Sequence, residues 1–191
     1  MNNIRLFLLQ YLGLVPPQTQ TTLEERQCLQ KYATGKSRLL EVGVFQGVTT
    51  RILREVMASD GILYAVDPFY PNRLGVCFYY IIARRNVSQS KNGSVTWLAM
   101  KSEEVVKRQR DFFADTLLDF IFIDGDHSWE GIQTDWQGLS PLVSAGGIVA
   151  IHDSRDRGGC GSELYTNQVI LNDPLFRVLD VVQTLTVLQR V

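Results

Sequence analysis

Short, continuous apolar runs ending on an acid, a glycine or a histidine recur along this chain about one helix apart. Phe120-Ile121-Phe122-Ile123 runs into Asp124-Gly125-Asp126-His127, and Ile148-Val149-Ala150-Ile151 runs into His152-Asp153. Runs of this kind read as strands of a parallel sheet, buried on both faces. Parallel neighbours need a long crossover, usually a helix, so the pattern confines the chain to an α/β fold. In open α/β sheets ligands bind outside the carboxyl ends of the strands. If the two runs are neighbours, two carboxylates and two imidazoles meet on one sheet edge. Such a cluster suits proton transfer, a divalent metal, or both.

The remaining punctuation extends the pattern. Ile4, Leu8, Leu12 and Val15 recur at helical spacing before Pro16-Pro17 ends that helix. Thr21 or Thr22 caps a second helix over 23–33, with Glu24 and Glu25 in its first turn. Strands are then predicted over 39–44, 61–66, 95–100, 118–123 and 148–151. Helices over 49–57, 73–88 and 103–113 separate the first four. Ser128 caps a further helix whose stripe is Trp129, Ile132, Trp136, Leu139 and Val143, stopped by Gly146-Gly147. Another helix covers 164–170. The β-rich runs 176–182 and 185–191 are separated only by Gln183-Thr184, which forces an antiparallel pair. The prediction is a three-layer, Rossmann-like α/β sandwich over residues 36–191. Residues 1–35 form a helical segment that either covers the site or mediates a homodimer.

A length of 191 residues and 45% apolar content suit one domain with a sizeable core. The net charge of −1 gives no sign of a nucleic-acid or membrane partner. Lys107-Arg108-Gln109-Arg110 reads as a solvated helix face. Cys28, Cys77 and Cys160 are odd in number and far apart, which fits a reducing, cytoplasmic compartment and neither a disulfide framework nor a zinc site. Residues 6–15 are too short to span a bilayer. Gln10, Tyr11 and the following prolines speak against a secretory signal.

The first strand leads into Glu41-Val42-Gly43-Val44-Phe45-Gln46-Gly47, with Thr49-Thr50 opening a helix. Gly43 permits a sharp turn and Gly47 a close ligand approach. Helix-start amides and the Thr49 hydroxyl suit a carboxylate or phosphate. Asp67, at the end of the second strand, is placed to accept hydrogen bonds from ribose hydroxyls. Dinucleotide loops want Gly-x-Gly-x-x-Gly, whose middle glycine admits a pyrophosphate. Phe45 takes that position here. The turn, Val44 and Phe45 included, better fits a nucleoside cofactor carrying an amino-acid carboxylate.

These segments come in series with Tyr-Ala-Val-Asp-Pro at 64–68, Ile-Asp-Gly-Asp-His-Ser-Trp-Glu-Gly at 123–131 and Gly-Gly-Ile-Val-Ala-Ile-His-Asp at 146–153. The series resembles class I S-adenosylmethionine-dependent methyltransferases, in particular the catechol-type and macrolide-sugar O-methyltransferase branch. The resemblance implies a seven-stranded, mostly parallel sheet with an antiparallel last strand. It implies that Glu41, Gly43, Gly47 and Thr49 hold the methionine moiety and Asp67 the ribose. Ser102 and Glu103 would border the adenine. Asp124 and Asp153 match metal-ligand positions, here for Mg2+ or another divalent cation; His127 matches the general base, and Asp124 is expected to share both catalysis and cofactor binding. Two departures stand out. Ser154 replaces the asparagine of catechol-type members, and His152 replaces the glutamate of sugar-type members. The third metal ligand is therefore His152, Ser154, water or nothing.

The implied reaction is methyl transfer to a hydroxyl of a small molecule. A metal-independent methyltransferase, a non-catalytic cofactor-binding module and a nucleotide-dependent oxidoreductase are the alternatives, and Phe45 opposes the last. Phe69, Tyr70 and Tyr165 line an acceptor pocket or anchor surface loops. Arg157-Gly158-Gly159-Cys160-Gly161 is either a lid or an ordinary loop.

Overall fold

The apolar runs pair into one sheet in the computed structural model, which describes residues 3–114 and 116–191, with the backbone alone for Asn3. The strands are β1 (Arg38–Val42), β2 (Ile62–Val66), β3 (Ser94–Leu98), β4 (Leu118–Ile123), β5 (Val143–Ile151), β6 (Phe176–Val182) and β7 (Leu185–Arg190), in the order β3-β2-β1-β4-β5-β7-β6. β1 to β5 pair in parallel, and β7 runs antiparallel to both β5 and β6. The last strand alone is reversed, as the short hairpin between the tail runs requires.

The helices are α1 (Asn3–Tyr11), α2 (Leu23–Ala33), α3 (Val48–Val56), α4 (Phe78–Val87), α5 (Ser102–Lys107), α6 (Gln109–Phe113), α7 (Trp129–Leu139) and α8 (Gly161–Gln168). Strand alternation divides the core between the two sheet faces. Leu40, Val42, Ile121, Ile123, Val149 and Ile151 face α7, with Ile132, Trp136 and Leu139 packed on them. Leu39, Leu63, Phe120, Phe122, Ile148 and Ala150 face α2 and α3 through Leu29, Ala33 and Leu53. Burying each large apolar side chain contributes about 1.5–3 kcal/mol, and the sheet centre is sealed on both sides.

Register places the chemistry. Val42 pairs with Val66 and with Ile123, and Ile123 pairs with Ile151. Four strands thus end level, and the next residue of each is Gly43, Asp67, Asp124 or His152. The ladder continues one step beyond: the Gly43 amide donates to Val66 O (2.9 Å), Asp124 to Val42 O (2.8 Å) and His152 to Ile123 O (3.0 Å). β1 lies between β2 and β4, so the strand order reverses there and a crevice opens at its carboxyl end.

Several boundaries differ from expectation. The predicted 103–113 helix breaks at Arg108 into α5 and α6. The predicted 73–88 helix starts only at Phe78, after a turn in which Asn72 Oδ1 accepts from the amides of Leu74 and Val76. Val143 belongs to β5 rather than to the preceding helix stripe. Pro141 offers no amide hydrogen, so α7 ends at Leu139 and a short 3-10 turn follows. Gly146-Gly147 lies within the strand. The predicted 164–170 helix is Gly161–Gln168, with Ile170 in a separate 3-10 turn.

Candidate functional site

Gly43 is fixed by geometry. Its φ is +89°, and a Cβ there would lie 1.9 Å from the Asp124 carbonyl oxygen. Only glycine lets β1 turn away so close to the end of β4. The turn opens a cavity of about 520 Å³, a size ordinary for a small-molecule site. Gly43, Val44, Phe45 and Thr49 form one wall, Asp67 the next, then Ser102 and Glu103, with Asp124, Gly125 and Asp126 opposite. Gln18, Thr19 and Gln20 from the N-terminal segment also line it. The Gln46 side-chain oxygen ties that segment down, accepting from Gln10 Nε2 (2.9 Å) and the Gln18 amide (2.6 Å).

Eight of the residues expected to hold a cofactor line this cavity. Glu41 and Gly47 do not. Glu41 lies beneath the turn, fully buried, with Oε1 accepting from the Thr49 hydroxyl and Oε2 without a partner. Burial pushes its carboxyl up to about 8, against the pull of Thr49 and Thr50; Asp124 and Asp67 add to the rise. Asp67 accepts from the amides of Val44 (3.0 Å), Phe45 (3.1 Å) and Phe69 (2.8 Å). Phe45 (φ +51°) and Asp153 (φ +50°) hold left-handed backbone, and such conformations in non-glycine residues cluster at functional sites.

The titratable cluster lies beside the cavity. His127 stands between two acids, with Nε2 3.2 Å from Asp124 Oδ1 and Nδ1 2.9 Å from Asp153 Oδ2. Arg157 Nε lies 2.9 Å from Asp153 Oδ1. His152 Nδ1 lies 2.9 Å from Asp124 Oδ1, and its Nε2 is 3.4 Å from Glu25 Oε2. Burial raises the Asp124 carboxyl, but hydrogen bonds from both imidazoles prevail and hold it below the usual range. The bond to Asp124 raises His127 above the ordinary histidine value, against a smaller effect of burial. Burial lowers His152, yet Asp124, Asp153 and Glu25 lift it to about 9. Asp124, His127 and Asp153, predicted from separate motifs, therefore share one side of the molecule.

The donor set bears on the metal. Ligand atoms of Asp124, His127 and His152 lie within 4.8 Å of one another. Magnesium binds through oxygens in near-octahedral geometry, whereas one carboxylate with two imidazoles suits first-row transition ions. Both nitrogens of His152 already face carboxylates, and Asp153 faces His127 and Arg157. Ser154 donates its hydroxyl to Thr184 O (2.8 Å). The residues present do not fit magnesium.

Two residues escaped the sequence analysis. Glu25 was read as a helix-start acid. It is that, accepting from the Thr22 amide (2.8 Å), but it also reaches His152, and its Oε1 accepts from the Thr184 amide (3.0 Å) and hydroxyl (2.8 Å). Asp135, on α7, is fully buried with neither carboxylate oxygen hydrogen-bonded, and burial pushes it up to about 6 although Ser102 favours its charged form. Its position on the buried side of an amphipathic helix was the one available signal. The aromatic candidates separate: Tyr70 lines the cavity, while Phe69 and Tyr165 are buried in the core.

Sheet order, the crevice at the end of β1 and the glycine turn beside it define a class I methyltransferase fold. The sequence matches the family described as "Methyltransferase domain" over residues 40–154, and the chain belongs to that family. Solved structures of similar fold include an O-methyltransferase from Bacillus cereus in complex with SAH (16% identity, TM-score 0.68, covering 98% of this chain and 90% of that one). The O-methyltransferase TomG from Streptomyces achromogenes, involved in tomaymycin synthesis and solved with SAM, is another (14% identity, TM-score 0.70, covering 100% and 90%). Cofactor-bound Rv0187 from MTB is a third (15% identity, TM-score 0.71, covering 98% and 88%).

Proposed function

We propose that this chain is an S-adenosylmethionine-dependent O-methyltransferase acting on a hydroxyl of a small molecule, with His127 as general base. The observation carrying the reading is His127 suspended between Asp153 and Asp124, the latter a wall of the cavity. The cofactor finds a fitting bed. Gly43, Thr49 and Asp67 line one cavity, where ribose hydroxyls would meet the Asp67 carboxylate and an amino-acid moiety the turn at Gly43 and the start of α3. Structural relatives solved with SAM or SAH support the choice. When bound, this cofactor supplies an electrophilic methyl group on a sulfonium.

The protein's own task is to align the acceptor oxygen and remove its proton. His127 Nδ1 lies against one oxygen of Asp153, and Arg157 pairs with the other. The hydrogen bond between Nε2 and Asp124 and the ion-pair contact of Nδ1 with Asp153 hold the ring between two carboxylates, in the logic of the acid–histidine pair of a catalytic triad. His152 supplies a fixed positive charge beside Asp124 and no metal step is needed. Three free cysteines fit a reducing cytoplasmic setting.

Calorimetry with S-adenosylhomocysteine and with NAD, followed by labelled methyl transfer over phenols, catechols and sugars, tests the reading. Tight S-adenosylhomocysteine binding and turnover of a hydroxyl are expected. Binding without turnover on any hydroxyl would make the chain a non-catalytic module, and preference for NAD would overturn both.

A further inference from the structure

The N-terminal helix is apolar on two sides, and only one is covered. On the inner side Phe7 stacks on Phe78, with ring centroids 4.4 Å apart, and Gln10 bonds to Gln46. On the outer side Leu8 and Tyr11 are 49% and 46% exposed, followed by Leu12 at 63% and Leu14 at 70%. Across from α1, the segment leading into α4 exposes Tyr70 (67%), Leu74 (80%) and Tyr79 (52%). The two segments meet along a groove of about 490 Å³ lined by Phe7, Tyr70, Leu74, Val76 and Tyr79. Single exposed leucines need no explanation, but an apolar groove with this many exposed leucines and tyrosines on the segments that build it marks an interaction site.

Charge says what covers it. Residues 3–22 and 68–92 contain no aspartate or glutamate, although the chain has 20 acids. The cations of these segments are Arg5, Arg73, Arg84, Arg85 and Lys91. Arg73 lines the groove, Arg5 is exposed on α1, and the Arg85 guanidinium sits 5.2 Å from the Tyr11 ring centroid. The net charge of −1 averages over this segregation and does not report it. An isologous dimer would set like charges against each other around the two-fold axis. A nucleic acid would find aliphatic leucines where it needs polar contacts and stacking platforms.

We propose that the face built by α1, residues 12–14 and the segment 70–79 docks on an anionic lipid surface. The leucines and tyrosines enter the boundary between headgroups and acyl chains, and Arg5, Arg73 and Arg85 lie at the level of the lipid phosphates. This is adsorption, not insertion across the bilayer: among the described residues no helix is long and apolar enough to cross a membrane.

Flotation of the full chain with phosphatidylcholine vesicles, alone or with about one-fifth phosphatidylglycerol, tests it. The wild type is expected to float with the anionic vesicles, to stay behind with the zwitterionic ones, and to be released by high salt. Leu12→Glu with Leu14→Glu, and separately Leu74→Glu, change exposed side chains outside the core. Both variants should lose at least about tenfold in vesicle partitioning, with thermal melts superimposing on the wild type. Absence of flotation, equal binding to both vesicle types, or variants that float like the wild type would overturn the proposal. So would sedimentation showing a dimer that Leu12→Glu with Leu14→Glu dissolves, which would make a second copy the occupant.

Discussion

Glu25 Oε2 lies 3.4 Å from His152 Nε2, joining two buried side chains 127 residues apart in the chain. The contact brings α2, an element outside the matched family region, into the cluster of acids and imidazoles. Glu25 holds His152, His152 holds Asp124, and Asp124 bounds the cavity. Glu25 is thus a positioning residue. Glu25→Gln should lower kcat about tenfold, with little change in KM or S-adenosylhomocysteine affinity. It will also lower stability, since Glu25 caps α2 and bonds to Thr184. Thr184→Val supplies the control, because it weakens the Oε1 contacts and spares the one to His152. Its melting point should fall while kcat stays. Equal kcat losses in both variants would reduce Glu25 to a structural role.

His127→Ala removes the proposed base. A general base contributes about 10²–10⁴-fold, and a loss of that size in kcat is expected. His127 does not line the cofactor cavity, so S-adenosylhomocysteine should bind with unchanged affinity. The wild-type rate should climb with pH along a limb centred above 6.5, because Asp124 raises the histidine and proton removal needs its neutral form. Turnover surviving the substitution would remove His127 from the mechanism.

The strand ends were legible because each combines an unbroken apolar run with polar punctuation, and parallel register leaves level strands little freedom. That logic puts Asp124 and His152 on one edge provided their runs are neighbours, and the pairing of Ile123 with Ile151 makes them so. It failed where a local reason sufficed. Glu25 already had a role as a helix-start acid, so nothing signalled its second partner far along the chain. Val143 continued a helical stripe convincingly, and the decisive residue was Pro141, which carries no side-chain periodicity at all. The charge segregation of α1 and the 70–79 segment was invisible because they are distant in sequence, and only their packing through Phe7 and Phe78 makes them one face.

The imidazole cluster also sets a pH window for stability. The folded His152 value of about 9 lies above the ordinary 6.5. A raised value means the stabilisation is complete below 6.5 and is lost as pH climbs through 9. The shift corresponds to an upper limit on the order of 3 kcal/mol, or roughly 6–10 °C in melting temperature for a chain of this size. His127 acts in the same direction. Asp124 and Glu25 are lowered, so their share is lost at the acid end, as pH falls below their ordinary values. Melting curves should therefore fall steadily between about pH 7 and pH 9.5, and His152→Asn should flatten that limb. A wild-type melting point that holds or rises across the window would contradict the assigned network.

Chelation separates this site from a magnesium-dependent one. The convergent donors are one carboxylate and two imidazoles, and His152 cannot offer a lone pair while both its nitrogens face Glu25 and Asp124. An ion would have to break the His152–Asp124 contact and leave Glu25 facing a neutral ring. Breaking a buried pair costs about 3–5 kcal/mol, which weak magnesium–imidazole bonding would not offset. Exhaustive chelation should thus leave kcat within about twofold of its starting value, and added magnesium should not raise it. A first-row transition ion, whose bonding to imidazole is strong enough to displace the contact, should inhibit by capturing His127. Loss of turnover on chelation, restored by magnesium, would show instead that the imidazoles swing aside to admit the ion.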